Sequence, residues 1–251
     1  MSEGTSLFLS PHLDVVAFSC GATLAKRARR GRTVLATLFT ASVAAPKGFA
    51  LACQTDKGLP EDADYMAIRR TEDAMAARIL GVESVRHMPF VEAPHRGYAS
   101  AAELFAPPHE ADDVWRSLRG AIDVLLRELT PARTYVPQAI GGHVDHVQLV
   151  RAFVACAFPG EVHWYRDTPY VIHDPGARAC ELVPTVGEER AEHLEEPDLL
   201  RKVSACAAYA TQVPFQFGTE AALRDALFAL GRRDAFPDAG FAERTWFTIR
   251  R

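Results

Sequence analysis

Short apolar segments alternate with helical segments along this chain of 251 residues, and this alternation is what most limits the folds it can adopt. An apolar segment at 6–10 stops at Pro11, and a partly β-branched one follows at 33–40. Helical patterns occupy 18–31 and 63–80. Because the alternation continues over at least four units, the sequence predicts an α/β fold with a mostly parallel sheet flanked by helices.

The composition excludes several classes of protein. The chain carries 28 Lys and Arg against 32 Asp and Glu, whereas electrostatic binding of nucleic acid needs positive charge in excess. No stretch reaches the roughly 18 apolar residues of a membrane span, and no secretory signal begins the chain. The five cysteines are scattered without CxxC spacing, as is usual in a reducing compartment. We therefore expect a cytoplasmic protein that binds no nucleic acid. Because no linker or repeat divides the chain, we also expect a single domain over residues 1–251.

Two clusters of histidine and aspartate follow predicted strands. The segment SPHLD contains His12 and Asp14, and the segment GGHVDH contains His143, Asp145 and His146. Ligands of parallel sheets bind beyond the carboxyl ends of the strands, where both clusters are expected. Neutral imidazole binds Zn²⁺, a nearby carboxylate takes a proton from water, and a further histidine stabilises a developing oxyanion. The two clusters together therefore predict metal-assisted hydrolysis.

The same segments carry a resemblance to a known family. LSPHLDVVAFSCG, at 9–21, resembles the opening motif of the PIG-L/LmbE-like N-deacetylases, and GGHVDH, at 141–146, resembles their second motif. Three further stretches are similar to family segments and occur in the same order: RRTED followed by ILGV within 69–82, YRDTPY at 165–170, and AYATQVP at 208–214. The resemblance extends over most of the chain.

This resemblance implies a Rossmann-like sheet, one divalent metal that is usually Zn²⁺, and removal of an acyl group from an amide nitrogen. It implies that His12 and His146 are metal ligands and that Asp14 is the general base. His143 takes the position of the histidine that stabilises the oxyanion, and Asp145 that of a carboxylate that orients a histidine. The implied substrate is a small N-acylated molecule that contains an N-acetylglucosamine-type sugar.

Four further residues are candidates for substrate binding. Arg69 matches a family arginine that is either substrate-binding or structural. Glu92 stands where this branch usually has aspartate, which we interpret as a tolerated exchange of carboxylates. Arg96 and Tyr98 lie in the segment HMPFVEAPHRGY, which either walls a sugar pocket or is an ordinary ordered loop.

One position departs from the family pattern. The third metal ligand of the family is the aspartate directly after the base, and here that position is Val15, with no gap in the flanking residues. Valine has no lone pair to donate, and a catalytic zinc site normally has three protein ligands. We therefore expect the affinity for zinc to fall by orders of magnitude and the activity to be impaired.

Several functions remain open at this point. The first is a deacetylase of reduced activity, and the second is a non-catalytic relative that binds a sugar or a protein partner. A third is an active enzyme into which Val15 was introduced by substitution. A nucleotide-binding oxidoreductase is disfavoured, because the first strand is not followed by a GxGxxG turn.

Overall fold

The structure, a computed structural model, describes residues 3–157 and 159–250. Residues 1, 2, 158 and 251, which belong to the predicted domain, lie outside the described residues. The strands are β1 (Ser6–Ser10), β2 (Thr33–Thr37), β3 (Ser84–His87), β4 (Arg133–Pro137), β5 (Gly160–Tyr165), β6 (Glu188–Leu194) and β7 (Phe241–Arg250). The helices are α1 (Val15–Ala28), α2 (Gly48–Thr55), α3 (Tyr65–Leu80), α4 (Ala101–Leu104), α5 (Val114–Leu129), α6 (Val144–Val154), α7 (Tyr170–His173), α8 (Glu196–Ala207), α9 (Val213–Phe217) and α10 (Glu220–Ala235). None of these helices combines the length and the apolar character needed to span a membrane.

The seven strands form one sheet in the order β3-β2-β1-β4-β5-β7-β6, and β1 to β5 are parallel. The chain leaves β1 toward β2 and β3 and returns on the other side of β1 as β4. The strand order therefore reverses between β1 and β4, which is where doubly wound sheets bind ligands. The predicted mostly parallel α/β sheet is confirmed, and β7 and β6 add an antiparallel edge to it.

Alternate side chains of β1 pack into two separate halves of the core. Leu7 and Leu9 lie in a buried cluster with Leu118 of α5 and Phe153 of α6. Phe8 lies on the opposite face, in a cluster with residues of α1, α3 and α8. The whole of β1 is buried, which explains why it is apolar on both faces, as central parallel strands are.

Helix α1 breaks at Cys20, whose φ of -133° and ψ of 29° are not helical. The break frees backbone N–H groups, and those of Ala22 and Thr23 donate to the Glu243 carboxylate at 3.2 and 2.7 Å. The Lys202 ammonium is buried and donates to the same carboxylate at 2.7 Å. Glu243 therefore acts as an internal N-terminal cap for the second half of α1.

Candidate active site

A cavity of about 300 Å³ opens at the carboxyl ends of β1 and β4. The loop after β1 contributes His12 and Asp14 to its lining, and His143, Asp145 and His146 come from the start of α6. The fold therefore brings the two predicted clusters to one cavity. A larger cavity of about 750 Å³ is lined by residues of the segment 138–246, and His12, His143 and His146 do not line it.

The loop between β4 and α6 depends on glycine. Gly141 has a φ of +89°, and a Cβ on this residue would lie 2.6 Å from the ring of Tyr170. Gly142 also has a positive φ, of +75°. Only glycine combines such backbone angles with so close an approach. The turn places His143 at the N-cap of α6, facing the cavity.

A buried carboxylate holds the imidazole of His12. The Nε2–H group of His12 donates to Oδ2 of Asp145 at 2.9 Å, and the backbone N–H of Ala93 donates to the same oxygen at 3.1 Å. Arg96 forms an ion pair with Oδ1 of Asp145 at 2.8 Å. Burial raises the pKa of Asp145, but His12 and Arg96 outweigh it and hold that pKa below its usual value. Asp145 is therefore ionised, and it fixes the ring of His12 through Nε2, so that Nδ1 takes no part in this bond.

A second carboxylate holds the imidazole of His146. Its Nδ1–H group donates to Oδ1 of Asp167 at 2.6 Å, and Oδ2 of Asp167 accepts from the backbone N–H of Ile140 at 3.0 Å. Both side chains are buried. This bond leaves Nε2 of His146 with its lone pair. A histidine whose far nitrogen donates to a carboxylate is the usual arrangement of a metal ligand.

The imidazole of His143 has a different hydrogen-bonding state. Its Nδ1 accepts from the backbone N–H of Asp145 at 3.2 Å, which caps α6. Burial and the neighbouring charge of His12 lower the pKa of His143 well below its usual value, so the ring is neutral. A neutral imidazole that accepts at Nδ1 carries its proton at Nε2. His143 is therefore arranged as a hydrogen-bond donor rather than as a metal ligand.

The side chains around the cavity offer fewer ligands than a catalytic zinc ion takes. The ligand atoms of His12, His143 and His146 lie within 4.8 Å of one another, and no carboxylate joins this group in the part of the chain that the structure describes. Val15 lines the cavity with an apolar side chain. Since His143 is a donor, two imidazoles remain, whereas a catalytic zinc ion takes three protein ligands. The residues present therefore do not complete such a site.

Asp14 lies beside the histidines in a strained conformation. Its φ is +155°, which an L-residue rarely adopts, and its Oδ2 accepts from Gln216 at 3.1 Å. Arg69 lies 3.6 Å from the same oxygen and forms a 2.6 Å ion pair with Glu92. Burial raises the pKa of Asp14, and the charge of Arg69 opposes that shift. Backbone strain of this kind concentrates at functional sites. The strain at Asp14, which belongs to the first cluster, therefore indicates a functional role for this residue.

The four predicted substrate-binding residues fall into two groups. Arg69 and Glu92 line the cavity, as they must if they contact a substrate. Arg96 and Tyr98 lie behind its wall, and each binds the carboxylate of Asp112 at 2.9 Å. Arg96 also pairs with Asp145, whereas Tyr98 binds only Asp112 of these two aspartates, and neither residue lines the cavity.

Several residues of the site were not predicted from the sequence. Asp167 follows β5. It lies at the carboxyl end of a strand, as the two clusters do, and this position could have identified it from the sequence. Gln216, Lys57 and Phe215 also line the cavity. They belong to α9 and to the turn after α2, which no local pattern connects with the histidine clusters.

The comparisons with known proteins identify relatives of this chain. The family model described as PIG-L, GlcNAc-PI de-N-acetylase, matches residues 7–157, which include both histidine clusters. The 2'-N-acetylparomamine deacetylases of Streptomyces fradiae and Niallia circulans are each 33% identical, over 68% and 65% of this chain. This chain spans 59% and 66% of those two proteins, less than two thirds of their length.

Solved structures of deacetylases have the same fold. The A40926 pseudoaglycone deacetylase is 28% identical, with a TM-score of 0.81 and 98% coverage of both chains. A deacetylase of the teicoplanin biosynthesis pathway is 27% identical, with a TM-score of 0.83 and the same coverage. Another structure of teicoplanin deacetylase is described as its zinc-inhibited form. The described sheet and helices therefore agree with those of deacetylases along nearly the whole chain.

Proposed function

Because the chain belongs to the PIG-L (GlcNAc-PI de-N-acetylase) family, we propose that it hydrolyses the amide of a small, sugar-containing N-acetylated substrate. The related proteins named above are deacetylases, and those named for their substrates act on N-acetylparomamine, teicoplanin or A40926 pseudoaglycone. The observation that carries the proposal is one cavity that holds Asp14, a donor histidine and two carboxylate-oriented histidines.

In this proposal Asp14 is the general base. The oxygen of a water molecule bonds to the amide carbon while its proton passes to the carboxylate of Asp14. The Nε2–H group of His143 donates to the amide oxygen as negative charge develops on it. The carbon–nitrogen bond then breaks, and Asp14 returns the proton to the leaving amine. The products are acetate and the free amino sugar.

The family resemblance also implies Zn²⁺, which polarises a carbonyl when it is bound. His12 and His146 are the residues that would hold it, and Val15 leaves the third ligand position without a donor. We propose that this chain therefore holds zinc weakly and exchanges it readily. At metal concentrations that would saturate an enzyme with three protein ligands, this chain would be mostly metal-free. Its deacetylase activity is then low.

Val15 also favours a second candidate function. A chain that loses a ligand but keeps the cavity is suited to bind an N-acetylated sugar without hydrolysing it. Both candidates require the same cavity and the same side chains around the amide, so binding alone does not distinguish them. They differ in whether acetate is released.

The test is release of acetate from 2'-N-acetylparomamine and from simple N-acetylglucosamine glycosides, at increasing Zn²⁺ or Co²⁺. We expect slow release that rises with metal concentration and is lost in Asp14→Asn, which cannot accept the proton. Binding of these substrates without acetate release at any metal concentration would favour the non-catalytic candidate. Release that is unchanged in Asp14→Asn would remove Asp14 from the mechanism.

A further inference from the structure

The lining of the active-site cavity includes an ammonium group that has no acidic partner among the described residues. Lys57 lies in the turn after α2 and lines the cavity together with Asp14 and Arg69. Its Nζ donates to the backbone carbonyl of Cys53 at 2.7 Å. Among residues 3–157 and 159–250, no carboxylate forms an ion pair with Lys57. Since an ammonium has three donors, two of them remain available for a ligand.

Two aromatic rings fix the position of this ammonium. Nζ of Lys57 lies 4.7 Å from the ring centre of Phe215 and 5.5 Å from that of Tyr65. Phe215 belongs to α9 and Tyr65 to α3, and both residues also line the cavity, so the lysine contacts two elements of its wall. A cation held between ring faces loses less conformational freedom when it binds a ligand. Lys57 is therefore a preorganised donor.

The other cations of the site are already neutralised. Arg69 is paired with Glu92 at 2.6 Å and lies close to Asp14, and Arg96 is paired with two buried aspartates. Burial lowers the pKa of Lys57 and repulsion by Arg69 adds to that shift, whereas Cys53, Glu92 and Asp14 oppose it. Unlike Arg69 and Arg96, Lys57 has no ion pair among the described residues that would compete with a charged ligand.

We infer that Lys57 is a specificity-determining residue that binds a carboxylate carried by the substrate next to its N-acetylated sugar. This inference rests on the proposed function, because it names the substrate class of the same cavity. One ammonium matches a single carboxylate. Phosphate sites usually combine several donors, such as backbone N–H groups of a helix N-terminus or arginine pairs.

The test compares two ligands of nearly equal size that differ in charge. N-acetylmuramic acid carries a carboxylate beside an N-acetylated sugar, and its methyl ester does not. We expect calorimetry at neutral pH without added metal to show at least about tenfold tighter binding of the acid, equal to about 1.4 kcal/mol. We expect Lys57→Met to bring this ratio close to one and Lys57→Arg to retain it. The preference of the wild type is expected to decrease as salt is added.

A matched control is Lys47→Met, because Lys47 is an exposed lysine that precedes α2 and does not line the cavity. We expect this variant to keep the preference for the acid. Thermal unfolding of each variant shows whether it is folded, and Lys57→Gln, which also removes the charge, tests the inference if Lys57→Met is not folded.

The outcomes separate this inference from the proposed function. Equal affinity of the wild type for acid and ester, failure of both to bind, or an unchanged preference in folded Lys57→Met each overturns the role of Lys57. Acetate release from neutral substrates alongside any of these results leaves the deacetylase function in place. Preferential binding of the acid without acetate release from any substrate supports the role of Lys57 and argues against deacetylation.

Discussion

Val15→Asp places a carboxylate at the position where the family has its third metal ligand, and we expect it to raise zinc affinity by at least about 100-fold. Losing a residue that merely supports a ligand typically lowers metal affinity about 10- to 100-fold, and a missing ligand has a larger effect. The other two ligands that we propose are His12 and His146. With Zn–N bonds of about 2.0–2.1 Å and tetrahedral angles, the two ring centres should be about 5 Å apart. The ring centres of His12 and His146 are 5.2 Å apart.

The same substitution lowers the stability of the metal-free chain. Val15 is buried, and removing its side chain from an apolar cluster costs about 1.5–3 kcal/mol, to which the desolvation of a carboxylate adds. Zinc at 100 times its dissociation constant stabilises the folded state by about 2.7 kcal/mol. For a chain of this size that is a rise in Tm of roughly 5–10 °C. We expect this rise in Val15→Asp and a much smaller one in the wild type.

The assay is zinc content after dialysis against a mild chelator, together with competition against a chromophoric chelator and acetate release. Val15→Asn is the matched control, because asparagine has the size of aspartate without its charge. We expect zinc content and activity to rise together in Val15→Asp and to change little in Val15→Asn. Folded Val15→Asp with no more zinc than Val15→Asn would refute the reasoning that one missing carboxylate disables the site.

Three further predictions concern Asp167, His163 and Asp14. Asp167→Asn weakens the hold on His146, so we expect zinc affinity, measured by chelator competition in the Val15→Asp background, to fall about 10- to 100-fold. Burial lowers the pKa of His163 to about 4, below the unfolded value of about 6.5. The unfolded state then binds the extra proton, so stability present above pH ~6.5 is lost toward pH ~4, by up to about 3 kcal/mol. His163→Phe should flatten this dependence in urea unfolding at several pH values, and an equally steep profile would contradict the assignment. Asp14→Gly and Asp14→Ala both remove the buried carboxylate and its pairing with Arg69, but only glycine relieves the backbone strain of about 1–3 kcal/mol. We therefore expect Asp14→Gly to unfold at higher urea than Asp14→Ala, with acetate release lost in both, and equal midpoints would show that the backbone is unstrained.

Much of the fold follows from local sequence. The apolar segments at 6–10 and 33–40 predict buried parallel strands because both faces of such strands are covered, and the structure has β1 and β2 there. The two histidine clusters lie at carboxyl strand ends, and the reversal of strand order between β1 and β4 brings them together. No local segment encodes that reversal, because it is a property of the whole sheet. The general rule that ligands bind at the carboxyl ends of parallel strands still predicts that the two clusters meet.

Other features depend on contacts between distant parts of the chain. The acidic segment 188–198 predicts a solvated approach to a helix, whereas its first seven residues form the edge strand β6. Pairing with β7, about 50 residues later, makes it a strand, although most of its side chains are exposed. Lys57 and Phe215 meet in the same way, because their contact is set by how α9 packs and not by any spacing in the sequence.

Asp145 and Asp14 have opposite effects on the stability of the fold. Asp145 is buried between His12 and Arg96, and removing one partner of such a group typically costs about 3–5 kcal/mol, so folding alone keeps these residues in place. Asp14 is different, because its positive φ costs stability and glycine would adopt the same backbone more easily. Of the residues that survive beside Val15, Asp14 is therefore the one whose presence is best explained by chemistry.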